Sequence, residues 1–352
     1  MEDQIRTKIH WDIGTAYDLF ISLRILHEPE EFNIRASWAA GVRSRVPLEH
    51  RQTLEQLTRI TTVPLVFINS LDAPKDSTEL LKMIKQITPI KLLEGLTIHF
   101  RTPQDIQDLF YNTSLRKKWS KDEVELLSKR RGLADSKTAK VVVNAFYDAW
   151  SQPESFHERV IGAIEAYVET FFAEEEQRIR PILEEELSHA RMRAGSRPLP
   201  AMLEEITSGV RIGDLGHIAS ITLAPTFWGS PFMFFDYLRD NELIALFGAR
   251  PGTMSIIPGD IVPDALLRGM KAMADSTRLR ILRYLAQEPQ TAAELSRILR
   301  LRPPTVNHHL NQLRLAGMVQ VFLSSSGEKK FSARYEGFDN TQDLLNRFVR
   351  GE

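Results

Sequence analysis

The stretch TAAELSRILRLRPPTVNHHLNQLRLAGMV, from Thr291 to Val319, decides the fold of the C-terminal part of the chain. Thr291 is followed three residues later by Glu294, which is the spacing of a capping box. In a capping box the hydroxyl and the carboxylate each accept a hydrogen bond from an otherwise unpaired backbone N–H group at the start of a helix. The pattern therefore predicts a helix that begins after Thr291 and continues through Leu299.

A second helix is predicted after a short turn formed by residues 300–302. Pro303 and Pro304 can begin this helix, because a proline in the first helical turn loses no intrahelical hydrogen bond and has a φ suited to the helix. Gly317 is expected to end it. Two short helices joined by a tight turn predict a helix-turn-helix, with the second helix at 303–316.

The second helix has one apolar stripe and one polar face. Val306, Leu310 and Leu313 recur at the i, i+4, i+7 spacing that predicts a face directed to a core. His309 lies at the edge of this stripe, so it is either a partly buried residue that holds the helix or a phosphate contact. The opposite face carries hydrogen-bonding side chains, with two more at its side: Thr305, His308, Asn311 and Gln312, flanked by Asn307 and Arg314.

The composition is that of an ordinary soluble protein. The chain has 352 residues, of which 43% are hydrophobic and 26% charged, which is enough for two or three domains. It contains no cysteine, which excludes disulfides and thiolate metal sites. No apolar run reaches the ~20 residues of a membrane span and the N-terminus lacks an apolar signal core, so we expect a cytoplasmic protein with no membrane contact.

Charge is distributed unevenly along the chain. From Asp264 to the end there are 14 Lys and Arg against 9 Asp and Glu, a net charge of +5, whereas the remainder holds 31 against 37, a net charge of −6. Lysine and arginine contacts to phosphates supply most non-specific affinity for nucleic acid. The basic C-terminal part is therefore the expected nucleic-acid-binding part, carried by an acidic partner domain.

The first 250 residues read as mostly helical with a small sheet near their end. Three segments rich in β-branched and aromatic residues, 217–225, 231–238 and 242–249, predict strands, the last two joined by a turn at 239–241. Residues 63–69 are expected to be a short buried strand or an extended connector, and 72–78 a loop. Helical periodicity covers the segments 14–27, 35–45, 48–61, 77–93, 102–111, 120–131, 136–150 and 153–194.

The longest of these segments contains a run of charge. Glu174 with Arg178 and Glu176 with Arg180 have the favourable i, i+4 order, which predicts a solvated helix face. Pro181 is expected to kink or break this helix.

Proline and glycine are concentrated before the basic part of the chain, which predicts a linker at 251–263. After it we expect helices at 264–274 and 276–286, the helix-turn-helix, two strands around a Ser-Ser-Ser-Gly turn, and a last helix at 339–349. The two strands, 320–335, form a wing with Lys329 and Lys330 on the return strand. The predicted fold class is mainly α: a large helical domain at 1–250 with a small β-sheet near its end, and a winged helix-turn-helix domain at 264–352.

This last region resembles the ArsR family of bacterial transcriptional regulators over about 75 residues. The resemblance rests on MADSTRLRILRYL at 273–285, on TAAELSRIL, and on PPTVNHHLNQLRLAGMV. It implies a dimer that binds operator DNA through this module, with the helices at 264–274 and 339–349 contributing to dimerisation. Two positions differ from the usual pattern, because the family usually has Ser at the position of Asn307 and often Lys or Arg at that of Asn311.

Metal sensing, common in this family, is not expected here. The family's metal ligands are cysteines in the helix before the recognition helix, or His and Asp in the last helix. The first of these helices reads TAAELSRIL and the last DNTQDLLNRFVR, so the chain lacks the thiols and the histidine. We therefore expect neither a metal nor any other cofactor.

The first 250 residues are similar to the uncharacterised N-terminal domain of some longer ArsR-like regulators. The similarity lies in TAYDLFISLRILHEPEEF and LAPTFWGSPFMFFDY. Eight aromatic residues crowd these two parts, and they are either ordinary core or, in part, the lining of a pocket for a small apolar effector. They are Trp11, Phe20, Trp38, Phe227, Trp228, Phe232, Phe234 and Phe235.

The sequence as a whole predicts a homodimeric transcriptional regulator, classed as a repressor, that binds a near-palindromic operator in double-stranded DNA. A non-metal effector or a partner acting on the N-terminal domain would modulate binding. No nucleophile elbow, P-loop or metalloprotease motif supports catalysis, so we expect no enzyme. The alternative is an N-terminal enzyme or protein-interaction domain that uses the winged helix for docking. The predicted DNA-binding residues are Thr291, Arg302, Thr305, Asn307, His308, His309, Asn311, Gln312, Arg314, Lys329 and Lys330.

Overall fold

A computed structural model describes residues 7–32, 34–130, 137–194, 198–207, 209–212, 217–323 and 329–351. The chain is mainly α-helical, with small sheets and a C-terminal helix-turn-helix, which confirms the predicted fold class. It divides into two compact units. Unit 1 contains residues 1–11, 182–234 and 245–352, and unit 2 contains residues 12–181 and 235–244.

Helices form nearly all of the regular structure between residues 15 and 206. The π-helical turn Val168–Phe172 lies between the tenth and the eleventh of them. In chain order they are α1 Thr15–His27, α2 Ala36–Arg45, α3 Leu48–Ile60, α4 Leu65–Asn69, α5 Ser77–Gln86, α6 Pro89–Thr97, α7 Gln104–Arg116, α8 Lys121–Arg130, α9 Lys137–Ser151, α10 Pro153–Tyr167, α11 Ala173–Ala194 and α12 Leu199–Ile206.

Two predictions for this region are wrong. Residues 65–69 form the helix α4 instead of a strand or an extended connector. A short segment that is apolar except for its last residue has no periodicity that distinguishes a helix from a strand. The predicted single helix 77–93 is two helices. Pro89 occupies the first turn of α6, and the side chain of Thr88 accepts a hydrogen bond from the backbone N–H of Lys91 to cap it.

The charge run in α11 is also partly buried, contrary to the prediction of a solvated face. Glu175 and Glu176 are buried, whereas Glu174 is exposed. One oxygen of the Glu176 carboxylate accepts hydrogen bonds from the hydroxyl of Thr15 and from the backbone N–H of Ser77, 3.1 Å away. The other accepts a hydrogen bond from the Ser77 hydroxyl. The carboxylate therefore ties α11 to α1 and α5 inside unit 2.

The predicted strands near residue 250 are present, together with short strands that the sequence did not indicate. β1 Lys8–Trp11, β3 Ser220–Thr226 and the second half of β5 Glu242–Gly248 belong to unit 1, where β1 and β3 pair in parallel. β4 Phe234–Arg239 and β5 are joined by the predicted hairpin turn, and the hairpin residues 235–244 belong to unit 2. There His99 Nδ1 lies 2.8 Å from Asp236 Oδ2, which fixes the hairpin to the connection between α6 and α7.

The C-terminal part of unit 1, which we call the winged module (residues 264–350), has the predicted order of helices and wing strands, with one short strand, β6, that was not predicted. Its helices are α13 Asp264–Met273, α14 Ser276–Leu285, α15 Ala292–Leu299, α16 Pro303–Leu315 and α17 Glu336–Arg350. Its strands are β6 Gln290–Thr291, β7 Val319–Leu323 and β8 Lys329–Ala333, and the predicted Ser-Ser-Ser-Gly turn between β7 and β8 lies outside the described residues.

A strand from before the predicted linker completes the sheet of the winged module. β2 Val210–Ile212 pairs in parallel with Val321–Leu323, so that the strand order is β2-β7-β8-β6. The predicted linker 251–263 lies within unit 1. Which segments fold independently at the predicted boundaries 1–250, 251–263 and 264–352 stays a prediction.

Candidate nucleic-acid interface

The start of α15 is fixed by the predicted capping box. The backbone N–H of Thr291 donates to Glu294 Oε2 over 2.7 Å, and the backbone N–H of Glu294 donates to Thr291 Oγ1 over 3.2 Å. The first of these hydrogen bonds holds the pKa of Glu294 below its usual range, because it stabilises the ionised carboxylate. Thr291 also lies opposite Lys330 in the β6–β8 pairing. The start of the helix-turn-helix is thus joined to the base of the wing.

The turn between the two helices has a defined backbone. Arg300 adopts a left-handed conformation with φ of 55°, which ends α15. The backbone N–H of Leu301 then donates to the carbonyl of Ser296 over 3.1 Å. Arg302 is extended, and Pro303 follows it in the first turn of α16. These contacts set the direction in which α16 leaves α15.

The apolar stripe of α16 is buried as predicted. Val306, Leu310 and Leu313 are at most 1% exposed. They belong to one hydrophobic core whose other buried members come from α13, α14, α15, the connection between α16 and β7, and the strands of the wing: Ala272, Ile281, Leu282, Leu285, Leu295, Leu299, Met318, Val319, Val321 and Phe331. Because this side of α16 is anchored in the core, its other side faces outward.

The outward side carries most of the predicted DNA-binding side chains. Thr305, Asn307 and His308 are exposed, and Asn311 and Gln312 are half-buried. Three predicted cationic residues are also exposed, at the start of α16 and on the return strand of the wing: Arg302, Lys329 and Lys330. Hydroxyl, amide and imidazole groups can pair with base edges, whereas exposed cations suit phosphates.

His309 and Arg314, in contrast, pack against the protein. The ring Nδ1 of His309 lies 4.0 Å from Asp275 Oδ1, near the start of α14. Burial lowers the pKa of His309 although the Asp275 carboxylate acts in the opposite direction. The guanidinium of Arg314 lies 5.2 Å from the centre of the Phe232 ring, and burial lowers its pKa as well. Of the two roles considered for His309, its position agrees with a partly buried residue that holds the helix.

The structure adds two cationic residues that the sequence analysis did not assign to the interface. Arg297 near the end of α15 and Arg300 in the turn are both exposed. They precede Arg302 in the segment RILRLR, which carries a cation at every second or third position. This spacing could have indicated that both residues belong to the interface. Side chains around a turn between two helices point in several directions, so cations spaced in this way are exposed.

The part of the chain that the structure describes contains neither a metal-binding cluster nor a membrane-spanning helix. No three or more His, Asp or Glu side chains are grouped so that they could hold a metal ion. Among the same residues, no helix combines the length and the apolar character needed to cross a membrane.

The fold and the exposed polar helix define a class of protein. A helix-turn-helix followed by a two-stranded wing is a DNA-binding module, here with its second helix anchored by an apolar stripe. Residues 275–321, from α14 into β7, match the family of bacterial regulatory proteins described as the arsR family. This segment is therefore an ArsR-type helix-turn-helix, followed by a wing and preceded by a long region of other structure. No curated protein and no solved structure matches the chain.

Proposed function

We propose that the protein is a homodimeric repressor that binds a near-palindromic operator through the recognition helix 303–316 and the wing 320–335. The helix-turn-helix of the arsR family makes it a DNA-binding transcriptional regulator. The observation that carries the finer proposal is the exposure of Thr305, Asn307 and His308 on a helix whose apolar side, Val306, Leu310 and Leu313, is buried. A side chain can read a base edge only if it projects beyond the protein surface on a rigid element.

The cations around this helix support the same proposal. Arg297, Arg300 and Arg302 follow one another from the end of α15 to the start of α16, and Lys329 and Lys330 lie on β8. In this arrangement the neutral polar residues contact bases and the cations contact phosphates. Two copies related by a two-fold axis would place their recognition helices about one DNA turn, ~34 Å, apart.

Two substitutions are expected to separate base reading from phosphate binding. Asn307→Ala should lower affinity for the operator roughly ten-fold and leave affinity for random DNA unchanged, because a lost bidentate base contact costs ~1–3 kcal/mol. Lys329→Ala should weaken binding to both DNAs alike and lower the slope of log affinity against log salt by about one, because one phosphate contact is lost. Fluorescence anisotropy with the protein's own promoter and with random DNA at several salt concentrations measures both effects.

Asn112→Ala is the matched control for the base contact, since Asn112 is also an exposed helical asparagine but lies in α7. It should bind both DNAs as the unsubstituted protein does. Equal affinity of the unsubstituted protein for its promoter and for random DNA, at matched salt, would refute the proposed operator recognition.

The dimer is supported by uncovered apolar side chains on α13 and α17. Leu267 and Met270 on α13 are each 41% exposed, and Val349 on α17 is 75% exposed. α13 and α17 approach each other so closely at Gly269 that a Cβ added there would lie 2.4 Å from Thr341 Oγ1. The two helices therefore form one surface on which apolar groups remain in contact with water, and a second copy of the chain would cover them.

The double variant Leu267→Glu, Val349→Glu is expected to be monomeric at micromolar concentration. Four carboxylates would enter one two-fold interface, and each would lose hydration without a partner. Sedimentation velocity should show twice the chain mass of 40.3 kDa for the unsubstituted protein and the single mass for the variant. The variant should also bind the operator more than ten-fold more weakly, since one half-site gives about half of the contacts.

A double variant with the same chemistry in unit 2 serves as the control. Leu115→Glu, Val124→Glu replaces two apolar residues that are 81% and 38% exposed on α7 and at α8. It should sediment like the unsubstituted protein. A monomeric unsubstituted protein that still binds the full operator tightly would contradict the proposed dimer.

The region before the winged module is proposed to modulate operator binding in response to an effector. Coupling requires a ligand that binds one geometry of the DNA-binding elements better than another. The apolar-effector hypothesis stays a prediction. Of the eight aromatic residues on which it rests, Phe20, Phe227 and Trp228 are fully buried, as in an ordinary core, while Phe235 is 46% exposed.

A further inference from the structure

A cavity of about 350 Å³ lies inside unit 1, at the end of the recognition helix. Its walls come from residues 230–231 and 248–254, from α13, from the end of α16, and from Arg334 together with α17. The volume is within the range of small-molecule sites in proteins. It is larger than a bound water molecule requires, so the walls enclose room for a ligand.

The polar lining of this cavity is strongly cationic. Arg250, Arg268, Arg334 and Arg347 line it, against one carboxylate, Asp343. Asp343 is exposed and lies 3.7 Å from Arg347 in an i, i+4 pair. Its carboxylate therefore offsets the charge of Arg347, which is also exposed. We call this site the cationic cavity. Its inner arginines Arg250, Arg268 and Arg334 have no carboxylate of the lining beside them.

Two of the inner arginines are held by groups of the protein. Arg250 Nη2 donates to the carbonyl of Ser230 over 2.8 Å, and Nη1 lies 3.7 Å from Asp264 Oδ2. Arg334 Nη1 donates to the carbonyl of Gly317 over 3.3 Å, and Nε lies 3.8 Å from Glu336 Oε2. Their guanidinium groups are thus held in the wall of the cavity by these contacts.

Arg268 is different, because it is buried without such a contact. It is 8% exposed, and its Nε has no hydrogen-bond partner among the described residues. Asp264 raises the pKa of Arg268 through its field, but burial has the larger effect and lowers it. A buried guanidinium N–H without an acceptor is costly, and a planar fork of donors suits a carboxylate or a phosphate. The Nε–H of Arg268 is thus a buried donor, without an acceptor in the described part of the chain, on a residue that lines the cavity.

The helix ends that meet at the cavity favour the same ligand charge. Gly337, in the first turn of α17, lies in the wall, and the N-terminal end of a helix carries partial positive charge. The C-terminal end of α16 carries partial negative charge, but the carbonyl of Gly317 that follows it already accepts a hydrogen bond from Arg334. The remaining lining includes Met254, Leu315 and Leu344, which offer apolar contact beside the charges.

We propose that the cationic cavity binds a small organic anion that carries a carboxylate or phosphate group, with Arg268 as its bidentate partner and the apolar wall against its hydrocarbon part. As an effector site this rests on the proposed function. Leu315 and Gly317 lie at the C-terminal end of α16, so the bound anion would link the recognition helix to α13 and α17, the helices of the proposed dimer. A ligand that fits one arrangement of these three helices shifts operator affinity by the ratio of its affinities for the two arrangements.

The experiment uses the full chain, without DNA, and three probes of similar shape. Phenylphosphate and benzoate carry the two anionic groups, and benzamide is the neutral control. At matched ionic strength either or both anions should raise the melting temperature by about 4 °C at saturating concentration, and benzamide should not. Which anion gives the larger shift, and a titration by calorimetry, separates phosphate from carboxylate recognition.

Variants assign the effect to the cavity. Arg268→Met should melt at or above the temperature of the unsubstituted protein without ligand, because a buried and incompletely hydrogen-bonded guanidinium is removed, and should lose the response to anions. Arg350→Met removes an exposed arginine at the end of α17, outside the lining of the cavity, and should respond normally. Asn340→Asp, which leaves Arg268 in place and adds a carboxylate to the lining, should weaken anion binding at least five-fold.

Three outcomes would overturn the inference: equal shifts by benzamide, an undiminished response in both Arg268→Met and Asn340→Asp, or no response to either anion. A protein that binds anions in this way but not its promoter would refute the proposed function and leave the cavity assignment intact. Operator binding without any response to anions would refute the cavity assignment alone.

Discussion

Gly337→Ala is expected to lower the free energy of unfolding of unit 1 by about 3 kcal/mol or more. A Cβ at this position would lie 2.2 Å from the carbonyl oxygen of Gly317 and 2.9 Å from the Cα of Met318. Both neighbours are backbone atoms, so no side chain can rotate away, and the start of α17 would have to leave the end of α16. Gly317 itself has φ of 70°, which lets the chain turn from α16 into β7 at this point.

Urea unfolding followed by circular dichroism measures this effect, and operator binding measured in parallel should be lost. Gly252→Ala is the matched control in the same unit, because its Cβ would meet the side chain of Leu344 at 3.8 Å, an ordinary contact distance. The control should change stability by no more than ~0.5 kcal/mol. Equal unfolding midpoints for the two variants would show that α16 and α17 do not approach as closely as described.

Glu176→Ala is expected to destabilise unit 2 by about 3 kcal/mol or more. The change would leave the hydroxyls of Thr15 and Ser77 and the backbone N–H of Ser77 without their acceptor. Thr15 and Ser77 are only 4% and 3% exposed, so water cannot replace the carboxylate without opening the contact between helices. A buried donor that loses its acceptor costs ~1–3 kcal/mol, and three donors are affected.

Glu174→Ala is the control for this prediction, since Glu174 precedes Glu176 by two residues in α11 and is exposed. It should shift the midpoint of thermal or urea unfolding by less than ~0.5 kcal/mol in stability. If both variants unfolded at the same midpoint, the Glu176 carboxylate would have no structural role. Glu176→Gln should fall between them, because an amide oxygen can still accept one or two of the hydrogen bonds.

Local signals in the sequence predicted the winged module well. The capping box of Thr291 and Glu294 depends only on residues three apart, and the stripe of Val306, Leu310 and Leu313 depends on helical geometry alone. Both are present in the structure. Whether a polar side chain of a helix is exposed depends on which other elements pack against that helix, and local signals do not predict this. His309 and Arg314 carry groups suited to phosphate, yet Asp275 and Phe232, distant in sequence, draw them toward the protein.

The same distinction explains the other errors. Glu174 and Glu176 have identical spacing to an arginine, and only the position of α1 and α5 decides that one is exposed and the other buried. β1 and β2 have three or four residues each and form through partners about a hundred or more residues away, so no local pattern marks them. The cationic cavity collects Arg250, Arg268, Arg334 and Arg347 from separate elements, and no element that contributes one of them is unusual alone.

The pairing of β2 with β7 has a consequence for any shortened form of this protein. A fragment that starts at the predicted linker retains the helix-turn-helix and both strands of the wing, but it lacks residues 210–212. The backbone donors and acceptors of Val321–Leu323 on that side would then face water, as an open sheet edge that can recruit a strand from another molecule. Self-association of such a fragment would arise from this cut edge and would say nothing about how the intact chain assembles.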